Sequence, residues 1–330
     1  MTHGPPLSLP PVPDLGAELA ALLAQIPRGC VATYGDLAEA LGDRAAARWV
    51  GEYLVDHSHS PGCPCHRVVL RTGEPGNYIA GGGAEKLKRL AREGVPAVDG
   101  AVDLDQHGFR QFDGPQPLAV LMEFQNELPD YVTLTPLAAW PERVIAVDAA
   151  YGSSGMGVGA LSVTDTATGE LLHSAAVQRP VRFPYITGYL AFREIELLRA
   201  VLAEAARLFD LPEVVFVDGN GRLHPRRAGI ATQFGVLEDR PTIGIGKKLI
   251  CGSVQLDGLK ANESRPIEHA GEIVGAAVVA TDSSSPVFVS PGNRVTLDDS
   301  VRLTQALFLG HRLPEPIFHA DRLSKVSARS

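Results

Sequence analysis

The stretch Val214–Gly235, VVFVDGNGRLHPRRAGIATQFG, constrains the chain more than any other. A β-branched apolar run, Val214 to Val217, ends on Asp218; a glycine-rich turn, His224-Pro225-Arg226-Arg227 and a helix-like segment follow. A buried strand that delivers a carboxylate into a turn at the sheet edge is how α/β proteins place chemistry. A turn or cap role would account for Asp218 alone. A second such run, VIAVDAAY (Val144–Tyr151), ends on Asp148, and LAFREIE (Leu190–Glu196) carries Glu194. Two strand-borne aspartates and a helix-borne glutamate gather oxygen ligands suited to magnesium and leave positions open for phosphate and water. Taken singly, Glu194 also reads as a solvated helix glutamate.

From about residue 118 to the C-terminus, the chain resembles endonuclease V, the deoxyinosine nuclease of the ribonuclease H-like superfamily. The likeness runs in order through VIAVDAAY, FPYITGYLAFRE, VDGNGRLHPRRAGIATQFGV, PTIGIGKKL and RLPEPIFHADRLS. It implies Asp148, Glu194 and Asp218 as metal ligands, Asp321 as a fourth acid, and Mg²⁺ as the metal with Mn²⁺ able to substitute. It also implies in-line attack by water on the second phosphodiester bond 3′ of deoxyinosine, leaving a 3′ hydroxyl. Tyr185 matches the wedge beside the lesion. Gly219, Gly221 and Gly229 match the backbone that cradles the flipped hypoxanthine, and His224 and Lys247 match positions near the scissile phosphate. The plainer readings are a core tyrosine for Tyr185 and a solvated lysine for Lys247. Asn293, in SPGNRVTL, stands where relatives commonly carry histidine; it exchanges hydrogen bonds but carries no proton at neutral pH.

Toward the N-terminus, Asp14 caps an expected helix with Leu15, Leu19, Leu22, Leu23 and Ile26 on one face. Gly29–Val55 reads as a short helix (36–41), a glycine turn at Gly42 and a second helix capped by Asp43, the helix-turn-helix pattern. Pro64-Cys65-His66-Arg67-Val68-Val69 follows. A cysteine nucleophile needs a lowered thiol pKa and a base held by a third group. Residues 14–96 resemble the C-terminal domain of O6-alkylguanine-DNA alkyltransferases, with PCHRVV the most specific motif. The resemblance implies Cys65 as acceptor of the alkyl group from a flipped guanine, His66 as base and Glu93 as its orienter. It places Tyr34 at the lesion's 3′ phosphate, Arg48 as the finger filling the vacated stack, and Arg67 on the DNA side. His57 replaces the family's usual asparagine, NYIAGGGAEK runs one residue longer, and the separate N-terminal domain of many alkyltransferases is not expected. Cys30, His57, His59, Cys63, Cys65 and His66 include enough soft donors for zinc. C-x-C-H nevertheless lacks the paired C-x₂₋₄-C spacing, so no cofactor is expected for alkyl transfer.

At 330 residues, with 45% hydrophobic and 21% charged residues, the chain has room for two globular domains. Four cysteines do not make a disulfide scaffold. With no signal peptide and no apolar run of membrane-spanning length, a cytoplasmic protein with no membrane partner is expected. The net charge of −8 divides evenly between residues 1–115 and the rest, so long-range steering of DNA should be weak. The expected fold is α/β in two domains: a small winged helix-turn-helix-like alkyltransferase domain, then a ribonuclease H-like mixed-sheet nuclease domain. Residues 1–13 are expected as a disordered Pro-rich leader, 14–96 as the first domain, 97–117 as a linker and 118–330 as the second. Together the resemblances imply a bifunctional repair protein acting on DNA that contains O6-alkylguanine or deoxyinosine. The alternatives are an N-terminal half that senses alkyl lesions without reacting, a nuclease for inosine-containing RNA, and an architectural DNA binder.

Overall fold

The computed structural model describes residues 7–60, 62–152 and 155–329, and the chain divides into two compact units. Of these described residues, one unit holds those of 11–123 with 183–187; the other holds those of 124–182, those from 188 onward and residues 7–10. Part of the expected leader, residues 1–6, lies outside the described residues. Residues 7–13 form no helix or strand, and Leu9 packs against the core of the larger unit.

The smaller unit opens with α1 (Leu15–Gln25), where Asp14 Oδ1 accepts from the Ala17 N–H at 3.0 Å. After β1 (Ala32–Thr33), α2 (Tyr34–Ala40) starts two residues before the position expected from Asp36. The cap is Thr33: its hydroxyl accepts from the Asp36 N–H and the Asp36 carboxylate accepts from the Thr33 N–H, a reciprocal box. Asp43 caps a 3-10 turn, Arg44–Ala46, ahead of α3 (Ala47–Asp56). A second 3-10 turn, Pro64–Arg67, presents the PCHR motif before β2 (Val68–Val69), which runs parallel to β1. Next come α4 (Gly82–Arg92), the hairpin β3 (Ala97–Val98) and β4 (Ala101–Val102), and α5 (Leu104–His107). Much of the stretch expected as a linker is therefore built structure. Val102 joins Val31, Val69, Leu90 and Val95 in one core, and Val31 exchanges backbone bonds with His107 and Phe109. Strands of two residues carry no periodicity that a sequence pattern could reveal.

The division between the units falls within α6 (Pro117–Glu127). Beyond it stand β5 (Arg143–Tyr151), β6 (Met156–Asp165), β7 (Leu171–Pro180), α7 (Leu190–Leu208), β8 (Val215–Asp218), α8 (Ile230–Leu237) and β9 (Thr242–Gly246). The chain closes with β10 (Ser264–His269), β11 (Glu272–Val278), β12 (Val287–Asn293), α9 (Leu297–Ala306) and α10 (Glu315–Ser327). The mixed sheet runs β10-β11-β12-β9-β8-β5-β6-β7, with β5, β8 and β9 parallel at its centre. Alternation along β5 divides the core. Val144 and Ala146 pack with Leu303 of α9 and Ile317 of α10, while Ile145 and Val147 pack with Ile195 of α7 and Phe234 of α8. Central parallel strands buried on both faces read as unbroken apolar runs, which is why β5 and β8 stand out in the sequence.

Candidate active sites

In the larger unit, side-chain parity sets the geometry. Asp148 continues the Val144–Ala146 face of β5, and Asp218 continues the Phe216 face of β8, so both project toward α10. That helix supplies Asp321 and Ser324. One carboxylate oxygen from each of Asp148, Asp218 and Asp321 lies within 4.8 Å of the others. The Ser324 hydroxyl donates to Asp148 Oδ2, and the Lys247 ammonium donates to Asp218 Oδ2 at 2.5 Å and Asp321 Oδ1 at 2.6 Å. Lys325 donates to Asp321 Oδ2 at 2.6 Å. Glu194 reaches the same cavity, of about 340 Å³, from α7 on the opposite face of the sheet. It stays outside the three-aspartate group and accepts from the Tyr151 hydroxyl at 2.8 Å.

Burial, then repulsion from Asp218, raises Asp148 well above the usual carboxylate range. Burial pushes Glu194 up to about 8, against the bond from Tyr151. Burial alone would lower Lys247, but Asp218 and Asp321 outweigh it and keep the ammonium charged. Three crowded carboxylates, with two lysine ammoniums drawn against them, form a donor set that fits a hard divalent cation.

His224 is not among the residues lining this cavity. Its Nδ1 accepts from the Arg226 N–H at 3.2 Å, and its Nε2 lies 3.3 Å from the Gly188 carbonyl. Burial and the neighbouring arginines push it down to about 4, so the ring is neutral and holds the turn before α7. Two of the three loop glycines are packed against backbone. A Cβ on Gly221 would stand 2.4 Å from Pro291 O, and one on Gly229 would stand 2.1 Å from Asn220 O. The close approach they permit is of backbone to backbone. Gly219, at φ +149, lines the cavity. Asn293 is a buried tie: Oδ1 accepts from Thr133 N–H at 3.0 Å, and Nδ2 donates to Gly235 O at 2.9 Å.

The smaller unit presents Cys65 at 2% exposure. Burial and the neighbouring Cys63 thiol push Cys65 up to about 12. The expected pair is in place, with His66 Nε2 3.0 Å from Glu93 Oε1, but it is His59 Nδ1 that lies 3.5 Å from Cys65 Sγ. Arg67, expected on the DNA side, turns its fork inward: it donates twice to Glu93, at 2.8 Å each, and once to Ile26 O at 2.7 Å. Desolvation opposes the charge on Glu93, yet bonds from Arg67 and His66 bring it down to about 2. His57 braces the loop through Nδ1 to Leu54 O at 3.1 Å and Nε2 to Cys63 Sγ at 3.3 Å. Arg48 is solvent-facing beside Glu52, and Tyr185 is 59% exposed, which excludes the core reading of that tyrosine.

Sequence reading missed Lys86, Tyr151 and Ser324. Lys86 is buried, its ammonium donating to the Val68 and Pro75 carbonyls and to the Tyr34 hydroxyl at 3.3 Å, and burial lowers it to about 8. Tyr151 closes the VIAVDAAY motif and Ser324 sits in HADRLS, so both motifs held the residue but not its contact. Lys86 closes the NYIAGGGAEK segment, which likewise held the residue but not its contacts.

A family model for endonuclease V matches residues 126–322, and one for the DNA-binding domain of 6-O-methylguanine DNA methyltransferase matches residues 15–95. A protein of Picrophilus torridus named bifunctional methyltransferase/endonuclease is 34% identical over 303 residues, covering 90% of this chain and 92% of its own. Its namesake in Thermoplasma volcanium is 36% identical, covering 88% and 84%. Among solved structures, the catalytic domain of human endonuclease V matches with TM-score 0.60 and 29% identity, covering 65% of this chain and 97% of that one. A Ciona intestinalis endonuclease V, solved with inosine-containing DNA, matches with TM-score 0.58 and 26% identity, covering 66% and 98%.

Proposed function

Because this chain belongs to the endonuclease V family and, over nearly its whole length, to the bifunctional methyltransferase/endonucleases, we propose that it repairs two lesions at two sites. The larger unit nicks DNA on the 3′ side of deoxyinosine. The smaller unit takes the alkyl group of O6-alkylguanine onto Cys65, once per molecule. The observation that carries the nuclease reading is the convergence of Asp148, Asp218 and Asp321 at the carboxyl ends of parallel β5 and β8.

Those three aspartates, with Glu194 beside them, would hold Mg²⁺ or Mn²⁺. When bound, the cation supplies water activation and stabilisation of the leaving 3′ oxygen. Around it, the Tyr151 hydroxyl orients Glu194 and Ser324 orients Asp148. Lys247 keeps its proton and offers a positive charge to the scissile phosphate, and His224 and the glycines of the 219–229 loop hold the lesion-side backbone in shape. Tyr185 is free to stack in the gap beside a flipped base.

In the smaller unit, the Cys65 thiolate forms the S–C bond while the C–O6 bond breaks, and the bonding pair stays on guanine, which takes up a proton. Glu93 fixes the His66 ring and Arg67 fixes Glu93, so the base is held by the third group such chemistry needs. Lys86 joins the Tyr34 hydroxyl to the chain behind the acceptor, a positioning role.

The test uses duplexes carrying one deoxyinosine or one O6-methylguanine in Mg²⁺, with wild type, Asp218→Ala and Cys65→Ala. Nicking of the inosine strand should fall by at least about 100-fold in Asp218→Ala alone. Gain of one methyl mass should vanish in Cys65→Ala alone. If wild type and Cys65→Ala nick the O6-methylguanine strand equally and no methyl is gained, the smaller unit is a sensor. Matched inosine-containing RNA distinguishes the ribonuclease alternative.

A further inference from the structure

The loop after α3 and the PCHR turn that follows it bring together four soft donors that C-x-C-H spacing in the sequence conceals. His57 Nε2, His59 Nδ1, Cys63 Sγ and Cys65 Sγ offer atoms that all lie within 4.8 Å of one another. His57 Nε2 is 3.3 Å from Cys63 Sγ, and His59 Nδ1 is 3.5 Å from Cys65 Sγ. Around a tetrahedral zinc ion, Zn–N near 2.0 Å and Zn–S near 2.3 Å put N···S edges at roughly 3.5 Å. The free chain already spans both nitrogen–sulfur edges at that length. We propose that His57, His59, Cys63 and Cys65 form a Zn²⁺ site in which the alkyl-acceptor cysteine is one of the four ligands.

The surroundings are built for ligation. His57 Nδ1 lies 3.1 Å from the Leu54 carbonyl, so that nitrogen carries the hydrogen and Nε2 presents its lone pair to the cluster. A ligating histidine that donates its other N–H to a backbone carbonyl is the usual arrangement behind zinc. The His57 ring stacks on Tyr53 at 5.8 Å, and the His59 ring meets His57 and Tyr78 edge-on at 5.7 and 6.0 Å, so both imidazoles are held in orientation. Thiolate and imidazole donors select zinc, whereas the three aspartates of the larger unit select a hard cation. The two metals therefore do not compete. Zinc holds both sulfurs as thiolates, the form alkyl transfer needs, and keeps Cys63 and Cys65 from oxidising. The proposal rests on the acceptor reading for its purpose, though not for the binding itself.

Cobalt reports the ligands directly, because thiolate-to-cobalt charge transfer cannot arise from a carboxylate site. The full chain, stripped with a chelator under reducing conditions, is titrated with Co²⁺ in excess Mg²⁺ and then with Zn²⁺. Wild type should develop charge-transfer and tetrahedral d–d bands at one equivalent, and Zn²⁺ should abolish them. His59→Ala should weaken Zn²⁺ binding by at least about 10-fold, and Cys63→Ser/Cys65→Ser should lose the charge-transfer bands altogether. Cys30→Ser and Cys251→Ser should keep them, and urea unfolding of each variant followed by the fluorescence of Trp49, in the same unit as the four ligands, reports that this unit is folded. Absent charge-transfer bands in wild type, or bands undiminished in the double serine variant, overturn the site. Methyl transfer measured on the same samples scores the acceptor reading separately: bands without transfer leave the zinc site and remove the acceptor, and transfer without bands does the reverse.

Discussion

Glu93 accepts from the His66 ring and twice from the Arg67 guanidinium, and these bonds bring it down to about 2. A folded-state pKa below the unfolded value means that the unfolded chain takes up the proton first. The stabilisation is therefore complete above the usual carboxylate pKa and disappears as pH falls toward 2. Glu93→Gln should cost on the order of 2–3 kcal/mol at neutral pH, with the gap to wild type closing between about pH 4.5 and 2. Urea unfolding followed by Trp49 fluorescence in a Trp140→Phe background measures it, and a pH-independent gap would refute the ionic origin. Tyr185 makes the opposite kind of prediction. Being 59% exposed, Tyr185→Ala should leave the melting temperature unchanged while weakening binding to inosine-containing duplex by about 1–3 kcal/mol. The residue chemistry visible in the sequence was that of motif ends, where an apolar run stops on an acid. Lys86 and Tyr151 act through partners 52 and 43 positions away, and no local pattern encodes such distances.

At the scale of elements, β5 and β8 were legible because a strand buried on both faces leaves an unbroken β-branched run. The edge strand β10 was not: Pro266 sits in it, and its outward residues are polar, as an edge permits. Nor was α10 anticipated, since Pro314 and Pro316 look like breakers. They fall at the N-cap and in the first turn, where a missing N–H costs nothing. That omission concealed how Asp321 and Ser324 come to face Asp148. The loop glycines yield a sharp expectation. The Cβ of Gly221→Ala would meet the Pro291 carbonyl oxygen at 2.4 Å and its carbon at 2.7 Å, both backbone atoms that cannot swing aside. Overpacking of this kind should destabilise the larger unit by about 1–3 kcal/mol. Nicking should fall with it, because the loop joins Asp218 to α8, and thermal unfolding with and without Mg²⁺ would reveal the loss.

For the molecule as a whole, the sequence foretold two folds but set a linker at residues 97–117, where the structure continues the smaller unit with a hairpin and a helix. Composition bears on function at this scale too. With a net charge of −8 divided evenly along the chain, neither unit can rely on an overall positive field to hold DNA. Each must use a few local cations, and each phosphate contact contributes about −0.9 to the slope of log K against log salt. Arg48 is the clearest such cation in the smaller unit. Its side chain is 86% exposed, and its pairing with Glu52 is a surface ion pair that DNA can readily replace. Arg48→Ala should therefore make the salt dependence shallower by about one unit of slope on an O6-methylguanine duplex. The slope on a deoxyinosine duplex should change less, because the acidic site that would nick beside that lesion lies in the other unit. Titrations of both duplexes across a range of ionic strength decide it. An equal change on both would mean that the two units grip DNA through one shared electrostatic surface.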